Sequence, residues 1–567
     1  AASDVYKRQT YTIAWYDGAE SSASVSKNES YTYMWDNTLN YVNTWKKHSL
    51  VGLAGFSIEK YESDGLGASG SGFPDDQVLT NLNSAAKKNS ISSSYSSNTL
   101  ASFLSRLEYK FNNRYLLTLN FRADGSSQFG PDKRWGYFPS GAVAWIITEE
   151  NFMKDYSNIV SYLKLRGSVG KTGSQNLGAY DWRTLMGSAT YNGAAGIVPS
   201  SLGNDILQWE EQIQKEVGLD YGFWDDRIRG TLGYYQKKVD NLLYSDPVPT
   251  SSSFSSVYQN IGSLKNRGIE FDVRVDIIKN APKDLTWNVD FNIARNRTTL
   301  EKLNSSDGYF GGGAYDYFKI EEGGETGRFY GYKDAGRLFM TNEELVGLKT
   351  IDPKTGTLKY YRDDYNYERQ GDVYIMDLDG DGQITADGDR TVIGNANPDF
   401  FGGFGSTLYW KGLMLNAVFS YSVGGDRFWD EEKNSSGDMN VYNTSNRILD
   451  SWTVNPGVNA SYPRAMYYGW GSNSIITDRY IHDASYLRMT ALNLSYRLPK
   501  HLYKNSILNA VEFTFQATNL FTWTKYPGMD PQGNFSTTYS AFYNMGIDYS
   551  TYPSARTYNF GIKLTLK

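Results

Sequence analysis

Segments in which every second residue is apolar run through the whole chain, and they limit what it can fold into. Residues 285–293 read Leu-Thr-Trp-Asn-Val-Asp-Phe-Asn-Ile. Successive side chains of an extended strand point to opposite sides. Leu285, Trp287, Val289, Phe291 and Ile293 therefore share one face, and Thr286, Asn288, Asp290 and Asn292 share the other. The same pattern recurs at 115–124, 269–277, 492–498, 511–518 and 558–566. One face suits an apolar medium and the other suits water, which is what a barrel wall between lipid and an aqueous lumen requires.

Alternation places strands near 10–18, 29–45, 48–62, 100–111, 115–124, 136–148, 161–171, 213–224, 227–243, 264–278, 285–298, 402–410, 413–423, 485–498, 508–523 and 556–567, about sixteen in all. Short connections fall at 46–47, 112–114, 225–226, 280–283 and 411–412. Long ones fall near 63–99, 172–212, 299–401, 424–484 and 524–555. Outer-membrane barrels have this asymmetry, with short periplasmic turns and long extracellular loops. The clean segments are about nine to eleven residues long, enough to cross an apolar band on a tilt. Tyr109, Tyr115, Trp145, Tyr221, Trp224, Trp410 and Trp523 sit at segment ends, where interfacial aromatic girdles lie. The expectation is an all-β, antiparallel transmembrane barrel over 10–567, with 1–9 unstructured or artefactual.

Composition removes other classes. Mean hydropathy is −0.53 and no run approaches a membrane-spanning helix, but an alternating strand hides its apolar half from any such average. Cysteine is absent, which excludes disulfides, thiolate zinc sites and thiol nucleophiles. The net charge of −6, without basic clusters, gives no footprint for nucleic acid. The chain opens with no apolar targeting segment. A soluble sandwich also alternates, but its strands are shorter. A propeller would show a blade-length repeat, and none is present.

Several blocks carry a family likeness. They are Arg122–Gly130 (RADGSSQFG) with Arg134–Ser140 (RWGYFPS), then Leu163–Gly170 (LKLRGSVG) with Thr172-Gly173 and Gln175-Asn176. Next come Asn260–Glu270 (NIGSLKNRGIE), Asp377–Gly382 (DLDGDG) with Asp389–Gly394 (DRTVIG), Asn519–Tyr526 (NLFTWTKY) and Tyr558–Gly561 (YNFG). In this order they resemble the SusC/RagA-type family of TonB-linked outer-membrane transporters. The resemblance implies a 22-strand barrel with an N-terminal plug. It makes this chain the C-terminal barrel portion, lacking roughly six strands and the plug. It further implies the outer membrane of a Gram-negative, Bacteroidetes-like bacterium, a SusD-like surface lipoprotein as partner, and oligosaccharide or peptide as substrate. TonB would act through the plug.

Asp377, Asp379 and Asp381, with Gly382 and Gln383, match the start of a calcium loop. Carboxylates at its first, third and fifth positions converge on a hard cation, and the glycine permits the sharp turn. The twelfth position, normally acidic, is Gly388; one looped-out residue would let Asp389 close the site. A metal-free Asp/Gly turn is the plain alternative. A bound Ca²⁺ would brace the 299–401 connection and perform no chemistry.

Gly323, Gly324, Gly327 and Arg328–Tyr332 lie, by the resemblance, near the barrel mouth and plug; ordinary loop glycine is the alternative. Tyr467, Tyr468 and Trp470 are candidates for stacking on sugar or peptide, or for simply ordering a loop. The Ser/Gly-rich segment within 63–99 reads as a mobile loop. Arg122, Asp124, Glu270, Asp272, Arg274 and Asp276 read as mutually paired lumen lining. His48, His482 and His501 are far apart and in no ligand spacing. No nucleophile elbow, phosphate loop or dinucleotide fingerprint is present, so the reading is a transporter barrel and not an enzyme. A passive porin of about sixteen strands and a soluble β-rich glycan-binding protein are the alternatives.

Overall fold

In hydrocarbon no water satisfies backbone N–H and C=O groups, so a spanning strand has to pair with its neighbours. The computed structural model of the chain is organised by that pairing. It describes residues 21–566 except 75–77, 80, 282–283, 304–316, 320, 342–343, 345–349, 352–357, 360–368, 437, 440–444, 458–459, 468–472, 474, 505–506, 534–544 and 550. Fifteen strands form one sheet and hydrogen-bond in chain order. They are Ser22–Trp45, His48–Ser71, Lys87–Phe111, Tyr115–Ser126, Trp135–Ile146, Val160–Ser174, Glu210–Phe223, Ile228–Asp240, Ser263–Ala281, Leu285–Lys302, Phe400–Trp410, Leu413–Val423, Tyr486–Arg497, Leu508–Thr524 and Thr557–Leu566. Each matches one strand expected from alternation. The remaining expected strand, near 10–18, lies outside the described residues.

The chain divides into two units, one of Ala1–Trp145, Arg166–Lys215 and Lys237–Ser263, the other of Ile146–Leu165, Glu216–Gln236 and Leu264–Lys567. In the first, cross-strand register joins apolar face to apolar face. Trp35 lies opposite Ile58, Phe56 opposite Phe103, Leu107 opposite Leu119 and Leu117 opposite Val143. Its polar face is tied together as well. Arg106 Nε donates to Asn120 Oδ1 at 2.9 Å, and Asn120 Nδ2 donates to Ser140 Oγ at 3.1 Å. At the short-turn end Trp45, His48, Phe111, Tyr115 and Trp145 follow one another in register. His48 stacks on Trp45 with ring centres 5.4 Å apart, and its Nδ1 is 2.7 Å from the Tyr109 hydroxyl. This row is an aromatic girdle.

The second unit repeats the scheme. Phe291, Phe404 and Phe419 lie in successive register, as do Trp287, Leu408, Leu415, Leu494, Phe515 and Phe560. On the opposite face Asn493 Nδ2 donates to Asn416 Oδ1 and Asn416 Nδ2 to Thr407 Oγ1, both at 2.9 Å. The apolar face has no layer over it. Phe560 is 81% exposed and Phe513 43%, and Trp287 and Phe291 are only partly covered. A sandwich would have hidden these rings between sheets. Large contiguous exposed apolar surface marks a membrane or partner contact.

One irregularity keeps the faces aligned. Along Tyr486–Arg497 the apolar positions change parity, from Leu487 and Met489 to Leu492 and Leu494. The register shifts at Thr490, whose Oγ1 donates to Val418 O at 3.1 Å. A bulge of this kind restores the pattern. The Lys411–Gly412 turn has both residues at positive φ, 49° and 86°, which is the type I′ geometry of a two-residue hairpin.

Two expectations need correction. The segment 63–99 is no long loop: residues 62–71 pair with 87–97 in a continuous hairpin, leaving only 72–86 as the connection. Serine and glycine conceal a strand because ladder bonds come from the backbone and need no alternation of side chains. The other long connections also fold. Small two-stranded sheets form within 175–209 and within 303–399. The segment Asp426–Trp429 pairs with both Ile481–Asp483 and Ile547–Asp548.

If the apolar face meets lipid, charge on that face should cost about 2–4 kcal/mol mid-membrane while charge on the other face is tolerated. Leu494→Arg should lower the heat-modifiable, membrane-inserted fraction several-fold on semi-native gels. Ser495→Arg, one residue on, should leave it near wild type.

Candidate functional site

The calcium-like loop grows out of a small packed core. Strands Asp334–Leu338 and Val373–Ile375 pair, and Leu338, Phe339, Val373, Ile375 and Ile384 bury one another almost completely. Chain leaving Ile375 must turn back so that Ile384 can reach this core. The Asp377–Asp389 segment makes that turn, with Gly380 and Gly382 at φ 77° and 83°.

Its carboxylates organise the backbone. Asp377 accepts from Gly380 N at 2.7 Å and Gly382 N at 2.8 Å. Asp389, fully buried, accepts from Leu378 N and Thr385 N, both at 2.7 Å. The helical turn Ala386–Asp389 is capped by Thr385, whose Oγ1 accepts from Gly388 N at 2.9 Å. Asp377, Asp379 and Asp389 each place an oxygen within 4.8 Å of the others. A Cβ on Gly388 would collide with the Asp379 carboxylate. Asp389, one residue on, supplies the third carboxylate of the trio.

Of the four expected acidic ligands, Asp381 is the one outside this trio. The Asp381 carboxylate accepts from Gln383 N at 2.8 Å. Among the described residues no Lys or Arg pairs with the three acids. The strongest influence on Asp379 is the Asp381 N–H, which pulls its pKa down. Desolvation together with the charges of Asp381 and Asp389 outweighs this, so its pKa stands above the usual aspartate value. Clustered hard oxygens without a counter-charge are the donor set that a cation such as Ca²⁺ takes.

The other candidates resolve differently. Arg328–Tyr332 pairs with Arg390–Asn395. Phe329 is fully buried in a second core with Phe318, Phe428, Tyr480 and Ile547, so this stretch is structural in its surroundings. Gly323 and Gly327 take φ of 77° and 81°. Tyr468 and Trp470 lie outside the described residues, and so does the side chain of Tyr467. Arg122 pairs with Asp124 at 2.7 Å, and Asp276 with Arg229 at 3.0 Å and Arg274 at 3.7 Å. His48 belongs to the girdle, and His482 Nε2 lies 2.6 Å from Glu432 Oε2.

Sequence reasoning missed a layer of buried ionic contacts in the connections. Buried Asp372 takes both Arg464 Nε and Nη2, at 2.9 and 3.0 Å, and Asn473 Nδ2 at 2.8 Å. Glu432 accepts from Arg447 at 2.8 Å and from the Tyr462 hydroxyl at 3.1 Å. Arg488, 4% exposed, binds Asp530 at 2.6 Å; this holds the Asp530 carboxyl below its usual range against the opposing effect of burial. The partners are far apart along the chain and their spacing carries no motif. The parity change at Thr490 was the one legible sign, because it turns Arg488 to the polar side.

With this architecture in view, comparison decides the family. The family model described as "TonB dependent receptor-like, beta-barrel" matches residues 2–520. The chain belongs to the TonB-dependent receptors. It is 32% identical over 93% of its length to the TonB-dependent receptor P3 of Formosa agariphila. It is also 32% identical over 82% of its length to the TonB-dependent receptor SusC of Bacteroides thetaiotaomicron. It covers 52% and 44% of those proteins, so it spans about half the length of the curated relatives it matches. Among solved structures it resembles the RagAB peptide transporter, with a TM-score of 0.77 and 26% identity over 97% of this chain and 57% of that one. The SusC/RagA likeness read from the motif blocks is thereby established, together with the all-β antiparallel fold. The family is one of transporters and not an enzyme class.

Asp389 is the buried tie of the loop. Asp389→Ala removes the acceptors of two backbone N–H groups, each costing about 1–3 kcal/mol when left unsatisfied. Hydrogen exchange should accelerate by at least tenfold across 377–389, with the strand amides of 486–497 unchanged.

Proposed function

We propose that this chain is the barrel domain of a TonB-dependent outer-membrane importer that takes up oligosaccharides or peptides in a Gram-negative, Bacteroidetes-like bacterium. The observation that carries the reading is the continuous exposed apolar face of a strand-ordered wall in a chain of this family. The wall supplies the passage, and the folded connections supply half of a binding cavity. A SusD-like surface lipoprotein covers the outer mouth, and TonB acts through a plug domain of the whole transporter. The RagAB likeness supports peptide as substrate, and the SusC relationship supports the lipoprotein partner. Purification of the full gene product from native membranes should bring down a SusD-like lipoprotein, and deletion of tonB should abolish uptake of its substrate. Uptake that persists without TonB would reject the importer in favour of a passive pore.

We also propose that Asp377, Asp379 and Asp389 hold a structural Ca²⁺ ion. The ion would add no chemistry; it would neutralise the crowded carboxylates and brace the connection that carries Ile384. Loops of this kind outside cells bind in the range of about 10⁻⁴ to 10⁻³ M. Calcium at several millimolar should therefore stabilise the loop by about 1–2 kcal/mol, slowing exchange across 377–389. Asp379→Asn should remove that response, and an identical exchange rate with Ca²⁺ and with EGTA in the wild type would refute the site.

A further inference from the structure

Among the described residues Arg134, Arg390, Arg427 and Arg479 each bury an Nε that makes no hydrogen bond, and Arg427 also lines a cavity. Arg427 lies in Asp426–Trp429, between Ile481–Asp483 and Ile547–Asp548. Its Nε is buried and makes no hydrogen bond, and no carboxylate among the described residues forms an ion pair with it. Several other arginines are matched: Arg488 to Asp530, Arg447 to Glu432, Arg464 to Asp372 and Arg297 to Asp399.

The acids around it accept hydrogen bonds from neutral groups and form no ion pair with it. Asp548 accepts the Tyr526 hydroxyl at 2.8 Å, Asp426 accepts Asn395 N at 2.8 Å and Asp483 accepts Ser485 N at 2.8 Å. Burial lowers the pKa of Arg427, partly offset by Tyr526, Asp548 and Tyr486. An arginine nonetheless stays charged in a folded protein. The charge of Asp548 reaches Arg427 without closing to an ion pair, so an anion in direct contact would lower the cost of burying the guanidinium.

Arg427 also faces open space. With Gln532, Tyr486, Ser422, Pro398 and Phe401 it lines a cavity of about 290 Å³. At roughly 30 Å³ per water that is room for one residue or one sugar ring. Its lining surface is at least as polar as it is apolar, and convergent polar groups are what fix a ligand's orientation in a pocket. The Tyr486 hydroxyl accepts from Gln532 Nε2 at 2.6 Å, which leaves its own hydrogen available to donate. A planar guanidinium fork matches a carboxylate, which it can grip with two parallel bonds.

We propose that this cavity binds a carboxylate of the transported ligand, with Arg427 as its counter-ion. The inference rests on the importer reading and narrows its substrate class to ligands bearing an acidic group. Either the chain-terminal carboxylate of a peptide or the uronate of an oligosaccharide would present that chemistry.

The test uses the purified full-length transporter and four probes in calorimetry: tetra-alanine, its C-terminal amide, tetragalacturonate and its methyl ester. At least one acid should bind about tenfold more tightly than its blocked counterpart, and which acid does so identifies the source. Arg427→Gln should bring that pair within about twofold, while Arg427→Lys keeps part of the preference. Ser422→Asp, which places a carboxylate inside the cavity, should abolish the preference even if Arg427→Gln fails to fold. Equal binding of acid and blocked probe, no binding of either acid, or a preference that survives these variants overturns the proposal. Uptake separates the two readings. A lost site with TonB-dependent uptake rejects only this inference, and TonB-independent uptake with the preference intact rejects only the importer.

Discussion

The cross-strand register is what the rest of this structure depends on. Side-chain period along a strand is two, so a slip of one residue would send every apolar side chain of that strand to the wet face. Here Phe291, Phe404 and Phe419 stay aligned across three strands, and the shift at Thr490 realigns the next. Tight turns such as Lys411–Gly412 set the register at one end. Ladders such as Thr407, Asn416 and Asn493 tie the polar face.

The folded connections obey a different economy. They bury apolar side chains in small closed cores, around Phe329 and around Phe339, as water-soluble proteins do. They also bury charge in pairs such as Asp372 with Arg464 and Glu432 with Arg447. Buried pairs contribute little net stability but fix which groups meet. Against that background the guanidinium of Arg427, without an ion pair among the described residues, and the crowded carboxylates of Asp377, Asp379 and Asp389 stand out. Both lie in connections where specificity can vary without disturbing the wall.

Most of the wall was legible because its signal is local. Alternation in 285–293 or 511–518 reports the two solvents directly, and every described wall strand was found that way. What escaped depends on distant contacts or on backbone alone. The hairpin through 63–99 has no alternating side chains, only paired amides. The ion pairs of Asp372 with Arg464 and of Arg488 with Asp530 join residues with no fixed spacing. The Asp-rich loop was half legible: its first acids follow a known spacing and Asp389 was expected to close it, but the burial of Asp389 and its ties to Leu378 N and Thr385 N rest on folded contacts.

The central claim is that lipid touches one face of each strand and water the other. Spin labels placed singly at positions 492 to 496 of the full-length protein in vesicles, read for collision with oxygen and with a water-soluble nickel complex, test it most directly. The account predicts a period of two, with 492, 494 and 496 open to oxygen and 493 and 495 open to nickel. Even positions shielded from both reagents, or no alternation at all, would contradict it.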